Sequence, residues 1–568
     1  MNWNILHKLQ LKSGSKKQRL EKITKILLEN RGYKNKKEIK EFLNPDINKI
    51  TPKSVGINQK ELKRALSRIN SAIKNKEQIA VFGDYDADGI CATAILWETL
   101  NEMGADVMPY IPYRIDEGYG LSETGIKNLK LKIKNCSLII TVDNGIVANK
   151  AVDFANKKGI DVIITDHHVP SRKLPKAYSI IHTTKLCGGG VAWLLSQEIL
   201  NSKFEILNKS QITNHKSQTN QHLELVVLAT IADLVPLTFA NRALVKCGLE
   251  ELRKTKRIGL LALIQESQIN KSAIDVYEVG HIIAPRLNAM GRIEYAMDSL
   301  RLLCTKDRNR AKTLAEKLAS TNRRRQELTI EAFEHAKIKV KSQKSKVKSL
   351  IFIGHESYEQ GVIGLVAGRL VEEFYRPSIV LSLGEKISKA SARSINGFNI
   401  IEFIRGAGEL LMDVGGHPMA AGFTVETSKI ALLAQKFESM ADKLLSDKSF
   451  QRDLRIDLEI LFSDLNLNLT ERLLLLSPFG VGNPKPTFLT RNLTISDMRL
   501  VGAENKHLSL KLSGDNSSFY AIGFGFGKRA DEIKIGDAVD LVYTPEVDEW
   551  NGDKRIKLKV KDFKINSG

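Results

Sequence analysis

Three short apolar runs in this chain each end in acid. QIAVF leads into Gly-Asp84-Tyr-Asp86-Ala-Asp88-Gly, SLIITV into Asp143-Asn-Gly, and DVIIT into Asp166-His167-His168. If the runs are parallel strands, side chains just past their carboxyl ends line one crevice, the usual ligand site of an open α/β sheet. Carboxylates crowded there repel and shift one another's pKa, which is tolerable mainly when cations neutralise them. Oxygen donors with one or two imidazoles and no thiolate suit Mn²⁺ or Mg²⁺ better than a structural zinc. Acid at alternate positions 84, 86 and 88 can serve two ions, and Asp143 is placed to bridge them about 3.5–4 Å apart. Such a pair activates water for phosphoester hydrolysis and needs no nucleophilic side chain.

Each residue also has a plainer reading. Asp84 and Asp88 suit turns or helix N-caps, Asp143-Asn-Gly is an ordinary turn sequence, and a His pair is commonly a surface or capping feature. The coincidence of all of them at one sheet edge carries the metal reading. The chain has no GxSxG, no Cys/His pair at motif spacing and no GxxxxGK[ST], so acyl-enzyme and P-loop mechanisms lack support.

These residues need a scaffold. From Gln78 onward, strand-length apolar runs alternate with helical stretches, which predicts a parallel sheet wrapped by helices over residues 76–240. Residues 1–75 read as a Lys-rich helical lead-in, and residues 241–349 as a helical connection and linker. Within these, 201–221 reads as a polar surface excursion, and the Lys/Ser tract 337–349 as a solvated boundary without an apolar face. A second, smaller α/β domain is expected over 350–450, opening on SLIFIG and the Gly-punctuated helix GVIGLVAGRLVEEF. Residues 451–568 alternate polar and apolar, with Asn551-Gly552 as a hairpin turn, and predict a small β-barrel or sandwich.

At 568 residues the chain exceeds one hydrophobic core. Its 42% hydrophobic and 27% charged residues and 14 prolines suit a folded globular protein. With 86 Lys and Arg against 65 Asp and Glu, the formal charge of +21 favours anionic partners, nucleic acid first among them. Cys91, Cys136, Cys187, Cys247 and Cys304 stand singly, which suggests neither a disulfide framework nor a thiolate zinc site. The opening residues lack the apolar stretch of a signal peptide and no long uncharged span follows, so a cytoplasmic location is expected.

VFGDYDADGIC, ITVDNG and TDHH, in that order and spacing, resemble the motifs of the DHH phosphoesterase superfamily. Further segments narrow the resemblance to its RecJ family of bacterial single-stranded-DNA-specific exonucleases: ATIADLVPL, PRLNAMGRI, GVIGLVAGRL, SARS, GGHPMAAGF and PFGVGNPKPTF. The resemblance spans roughly residues 78 to 565. It implies a DHH catalytic domain, a DHH-associated domain and a C-terminal OB-fold-like barrel. It also implies a 5′ to 3′ exonuclease of DNA repair and recombination, acting on single-stranded DNA with two divalent ions, Mn²⁺ or Mg²⁺. A single-stranded-DNA-binding protein and a helicase are the protein partners considered.

Carried over by position, the family pattern implies Asp86 and Asp143 on one ion, and Asp88, Asp143, His167 and Asp233 on the other. Asp84 would sit beside them, and His168 would touch the scissile phosphate or orient a ligand. Many superfamily members have His where this chain has Phe82, so Asp84 or water is expected to fill that place. Arg292, Ser391 and Arg393 would form a 5′-phosphate pocket, for which the bidentate guanidinium is suited, and a closed end there would exclude duplex by its width.

Arg114 and Tyr119 would meet the terminal nucleotide; alternatively Tyr119 packs in the core and Arg114 pairs with Asp116 or Glu117. The Gly-Gly-His417 segment could nest a phosphate or be a plain tight turn, and Arg369 could contact DNA or be a solvated helix charge. In the barrel, Tyr520, Phe524 or Phe526 could stack on bases, with about half of these aromatics facing the core.

Two rival functions remain at this stage. A DHH phosphodiesterase for short oligonucleotides or cyclic dinucleotides shares the chemistry but needs little beyond the two α/β domains. A non-catalytic single-strand-binding scaffold would show broken ligands, and apart from Phe82 none is broken here.

Overall fold

The computed structural model describes residues 1–7, 15–114, 116–206, 220–342, 349–550 and 553–566. Two units emerge, one of residues 47–235 and 247–450, the other of 1–46, 236–246 and 451–568.

In the first unit, the acid-tipped runs form a five-stranded, all-parallel sheet in the order Asp106–Tyr110, Gln78–Phe82, Cys136–Val142, Asp161–Asp166, Ser179–His182. Their inner residues, Ile79 to Phe82, Leu138 to Ile140 and Val162 to Ile164, are fully buried, as continuous apolar runs in a helix-covered parallel sheet should be. The chain steps from Gln78–Phe82 to one neighbour and returns to the other, Cys136–Val142. This switch of direction opens the crevice between those two strand tips.

A second sheet in the same unit runs Leu411–His417, Ala420–Glu426, Ile387–Arg393, Ser378–Ser382, Ile351–His355, parallel only in its last pair. Helices Ile363–Phe374 and Ile430–Leu444 contribute to its two cores. A 35-residue helix, Arg308–Ser342, buries Ala332, Phe333, Ala336 and Val340 against the Ile351–His355 side. This corrects the solvated boundary expected at 337–349: the helix runs through Ser342, and Ala336 and Val340, one turn apart, form a narrow apolar face. Residues 343–348, most of the 201–221 excursion and the Asn551-Gly552 turn lie outside the described residues.

The second unit holds a closed five-stranded barrel of Phe488–Val501, His507–Gly514, Ser517–Gly523, Asp553–Ile565 and Ala538–Trp550, the last pairing back to the first. This decides for a barrel over a sandwich. The expected helical lead-in needs two corrections. It begins with a strand, Asn2–Ile5, parallel to Asp453–Ile456. Its helices Lys16–Glu29 and Lys36–Leu43 belong to the barrel unit, where Leu20, Ile23, Leu27 and Phe42 enter the core. Their Lys-rich outer faces hid an apolar stripe that needs such a surface to cover it. Arg242 is buried in this unit over the Phe42 ring, and donates to the carbonyls of Phe42, Leu476 and Ser477.

No helix among the described residues is long and apolar enough to cross a membrane.

Candidate metal centre and anion pocket

The loop after Gln78–Phe82 passes into helix Ala87–Glu102, with Asp86 as its N-cap accepting from Gly89 N–H at 3.0 Å. The cap expected at Asp84 or Asp88 is instead Asp86, with Asp88 inside the first turn of the helix, and the other Asp86 oxygen is left for a second role. Asp88 is almost fully buried; its oxygens accept from the N–H groups of Gly188 at 2.7 Å and Gly189 at 2.6 Å. Asp143 takes a left-handed backbone, φ 63°, which turns its side chain back over the strand tips. Asn144 pins that turn, donating to the carbonyls of Phe82 and Val142 and accepting from Leu121 N–H.

Asp166 is a positioner. One oxygen accepts from the N–H groups of His167 and His168 and stands 2.7 Å from His168 Nδ1; the other accepts from Ile146 N–H. His182 adds a further clamp, its Nε2 donating to the His168 carbonyl at 2.7 Å.

The donors converge. His167 Nε2 lies 3.1 Å from Asp143 Oδ1, 3.8 Å from Asp88 Oδ2 and 3.7 Å from Asp233 Oδ2. Asp233 reaches this point from the C-cap of helix Leu223–Ala232. A second group gathers Asp84, Asp86 and Asp143 within 4.8 Å of one another, and a third joins Asp143 to His167 and His168. Asp143 belongs to the second and third groups, and its Oδ1 faces the His167 nitrogen that Asp88 and Asp233 also approach. Phe82 is fully buried in the core, stacked on Tyr110, and Asp84 supplies the third carboxylate of the second group.

Electrostatics demand a counter-charge. Burial, then the neighbouring acids, push Asp143 and Asp84 well above the carboxylate range. The same causes lift Asp88 to about 7 and Asp233 to about 8. Burial, then the adjacent His168, lowers His167 to about 4, leaving a neutral donor ring. In His168, burial favours the neutral form, but the Asp166 hydrogen bond and charge outweigh it and raise the ring to about 9. Asp143 Oδ1, His167 Nε2 and Asp84 Oδ2 are buried without a hydrogen-bond partner. Oxygen and imidazole donors left bare at single-ion distances fit two hard divalent cations.

Beside the carboxylates lies a group of arginines. Arg292 donates to the Gly361 carbonyl, and Arg393 donates to Ser391 Oγ and the Ala392 carbonyl. Arg114 stacks over Tyr85 and forms no ion pair with Asp116 or Glu117. Burial, then Arg114, Arg393 and Arg325, lowers Arg292's hold on its proton; burial, then Arg114, does the same to Arg393. Guanidinium groups massed this way call for an anion.

Arg325, on the long helix, was not legible as a site residue. Its Nε is buried and unpartnered, and burial and Arg369 both lower its proton affinity. The run TNRRRQ was the only sequence signal, and nothing in it distinguished one arginine from its neighbours. Arg369 itself is half-buried, its guanidinium 5.8 Å from the Phe333 ring.

Tyr119 does not enter the core. It is 51% exposed with its Oη 3.1 Å from His168 Nε2. Gly415 and Gly416 lie within the Leu411–His417 strand, opposite Gly422 and Ala421, so they form no tight turn; the His417 ring instead stacks 6.0 Å from His168. On the barrel, Tyr520 and Phe524 are each 55% exposed, with Lys511 and Lys559 over their rings, while Phe526 packs toward Phe563.

Three family models match the chain: the DHH family N-terminal domain over residues 78–230, the DHHA1 domain over 342–444 and the RecJ OB domain over 456–562. The chain is 35% identical to the single-stranded-DNA-specific exonuclease RecJ of Bacillus subtilis, aligning over all of this chain and 71% of that protein. The Haemophilus influenzae protein of the same name is 31% identical, over 88% of this chain and 90% of its own length. The crystal structure of RecJ in complex with Mn²⁺ from Thermus thermophilus superposes with a TM-score of 0.81 at 27% identity, covering 99% of this chain and 79% of that one. Its Mg²⁺ complex gives 0.75 at 27% identity, with 99% and 78% covered.

Proposed function

Because the chain belongs to the RecJ family of single-stranded-DNA-specific exonucleases, we propose that its carboxylate and imidazole cleft removes nucleotides from single-stranded DNA in the 5′ to 3′ direction. The observation that carries this reading is the approach of Asp88, Asp143 and Asp233 oxygens to His167 Nε2, which like Asp143 Oδ1 is buried without a hydrogen-bond partner. Two divalent ions, Mn²⁺ or Mg²⁺, supply Lewis acidity and an activated water when bound there.

The chain's own residues do the rest. Asp86 and Asp143, with Asp84, hold one ion; Asp88, Asp143, His167 and Asp233 hold the other. Gly188 and Gly189 keep Asp88 aimed while leaving no room for a side chain. Asp166 fixes His168, whose protonated ring and the Tyr119 hydroxyl donate toward phosphate oxygens. Arg292, Arg393, Ser391, Arg114 and Arg325 receive the 5′-phosphate, with Arg369 and His417 at the margin. Tyr520 and Phe524 on the barrel offer base-stacking faces flanked by lysine.

We place this activity in the cytoplasm, in DNA repair and recombination. A single-stranded-DNA-binding protein and a helicase would present the strand.

The test is degradation of 5′-phosphorylated, end-labelled single-stranded and duplex DNA, and of a dinucleotide, in Mn²⁺, Mg²⁺ and chelator. Processive loss of the single strand, dependent on added ion, is expected. Equal attack on duplex, a preference for the dinucleotide, or unchanged activity in chelator would each overturn the proposal.

A further inference from the structure

The segment PRLNAMGRI lies in helix Ala284–Ile293, which packs on the acid-bearing loop of the parallel sheet. There Asn288 Oδ1 accepts from Ala87 N–H at 2.7 Å. The donor is a backbone amide, so the facing atom of Asn288 must be its oxygen. Ala87 opens helix Ala87–Glu102, where its N–H has no partner within the helix. Its two neighbours in the chain are Asp86 and Asp88. A side chain from a helix some 200 residues away thus holds the peptide between two carboxylates of the metal centre.

Two further contacts fix how that helix sits. Three residues beyond Asn288, Gly291 is pressed to the same loop, where a Cβ would collide with the Tyr85 carbonyl oxygen. Arg292 follows, donating to the Gly361 carbonyl at 3.2 Å, and a Cβ on Gly361 would in turn collide with the Arg292 carbonyl oxygen. Positions 288, 291 and 292 share one helix face. That face brings an acceptor to the metal loop and a guanidinium to the anion pocket. Asn is a weak helix former whose side chain competes with the backbone, and the bond to Ala87 accounts for its place inside a helix.

From this we infer that Asn288 is a positioning residue for the nuclease reaction. Acting through the Ala87 amide, it fixes Asp86 and Asp88 at a set distance from Arg292, so that a strand end seated on the arginines meets carboxylates already in place. The inference rests on the assignment of Asp86 and Asp88 to the metal centre.

The full-length parent, Asn288→Leu and Asn288→Asp are compared by calorimetric titration with Mn²⁺ and by steady-state cleavage of a 5′-phosphorylated single strand. Leucine fills a similar volume but cannot accept, whereas aspartate keeps an acceptor oxygen in the same place. Groups that orient metal ligands are worth about 10- to 100-fold in affinity or activity, so Asn288→Leu should lose about 10-fold or more in both Mn²⁺ affinity and kcat. KM should hold, because the arginines are untouched. Asn288→Asp should recover most of both losses. Parental Mn²⁺ affinity and kcat in Asn288→Leu, or equal losses in the two variants, would overturn the positioning role and leave the metal centre standing. A parent that binds no Mn²⁺ would overturn the metal centre, and this role with it.

Discussion

Gly188 lies so close to Asp143 that a methyl group on it would stand 2.5 Å from the Asp143 Cβ. The same glycine donates its N–H to Asp88, so a single backbone position touches two carboxylates of the centre. Gly188→Ala must push one of them aside. A misplacement near 1 Å costs on the order of 100-fold in rate, and such a loss is expected in Mn²⁺ with the circular dichroism spectrum unchanged. Full activity in the alanine variant would show that the centre is not this tightly packed.

Asp143 groups with Asp84 and Asp86, and its Oδ1 also faces His167 Nε2 at 3.1 Å, so Asp143→Ala should abolish cleavage. A fall of about 10³-fold or more is expected for removal of a group acting in both halves of the centre. Gel-shift affinity for single-stranded DNA should change little, because the arginines are untouched. Residual cleavage above a tenth of the parent rate would remove the bridging role.

Arg393→Ala and Arg325→Ala should each erode the preference for a 5′-phosphate. A charge-assisted hydrogen bond contributes about 1.5–3 kcal/mol, so the ratio of kcat/KM for 5′-phosphorylated over 5′-hydroxyl strands should fall about 10-fold or more in each. If Arg325→Ala leaves the ratio intact, its bare Nε serves something other than the strand end.

Tyr520→Ala and Phe524→Ala should weaken binding of long strands. Each lost stack costs about 1–3 kcal/mol, read as a higher KM on a long oligonucleotide with no change on a dinucleotide. The lysines over those rings, Lys511 and Lys559, should instead govern the salt dependence of binding. Unchanged KM in the double variant would place the strand elsewhere on the barrel.

His222 provides a pH test outside the centre. It is buried, with Nδ1 3.4 Å from Glu98 Oε2, and burial outweighs that carboxylate to lower its pKa. Below the unfolded value of about 6.5, the unfolded chain takes up a proton that the folded chain refuses. Stability present above that pH is therefore lost as pH falls toward the lowered folded value. His222→Asn keeps a residue that tolerates the left-handed backbone, φ 66°. Its urea midpoint should depend less steeply on pH between 7 and 5 than the parent's. Identical slopes would assign the acid sensitivity to other groups.

Much of the centre was legible because it follows local rules. Apolar runs of strand length ended at Asp84, Asp143 and Asp166, and a parallel sheet puts such ends on one edge whatever the loops between them do. That Phe82 stands where a histidine is usual came only from the resemblance to the family. The fate of that position needed the structure, which shows its ring in the core and Asp84 beside Asp86.

Other features had no local signature. Asp233 reads as a helix cap, and it is one; its second role depends on where helix Leu223–Ala232 packs against helices Ala87–Glu102 and Gly188–Ile206. Gly188 and Gly189 matter through their amides and missing side chains, which only the approach of Asp88 and Asp143 reveals. The helices of residues 16–43 read as a separate lead-in because a charged outer face says nothing about which surface covers the inner one. The sequence by itself determined the donors at the strand ends, the strands that end in them and the reaction they suit, since those depend on residue type and short-range periodicity. Only the tertiary structure decided which distant groups close the shell, since burial and like-charge crowding arise when segments far apart in the chain share one volume.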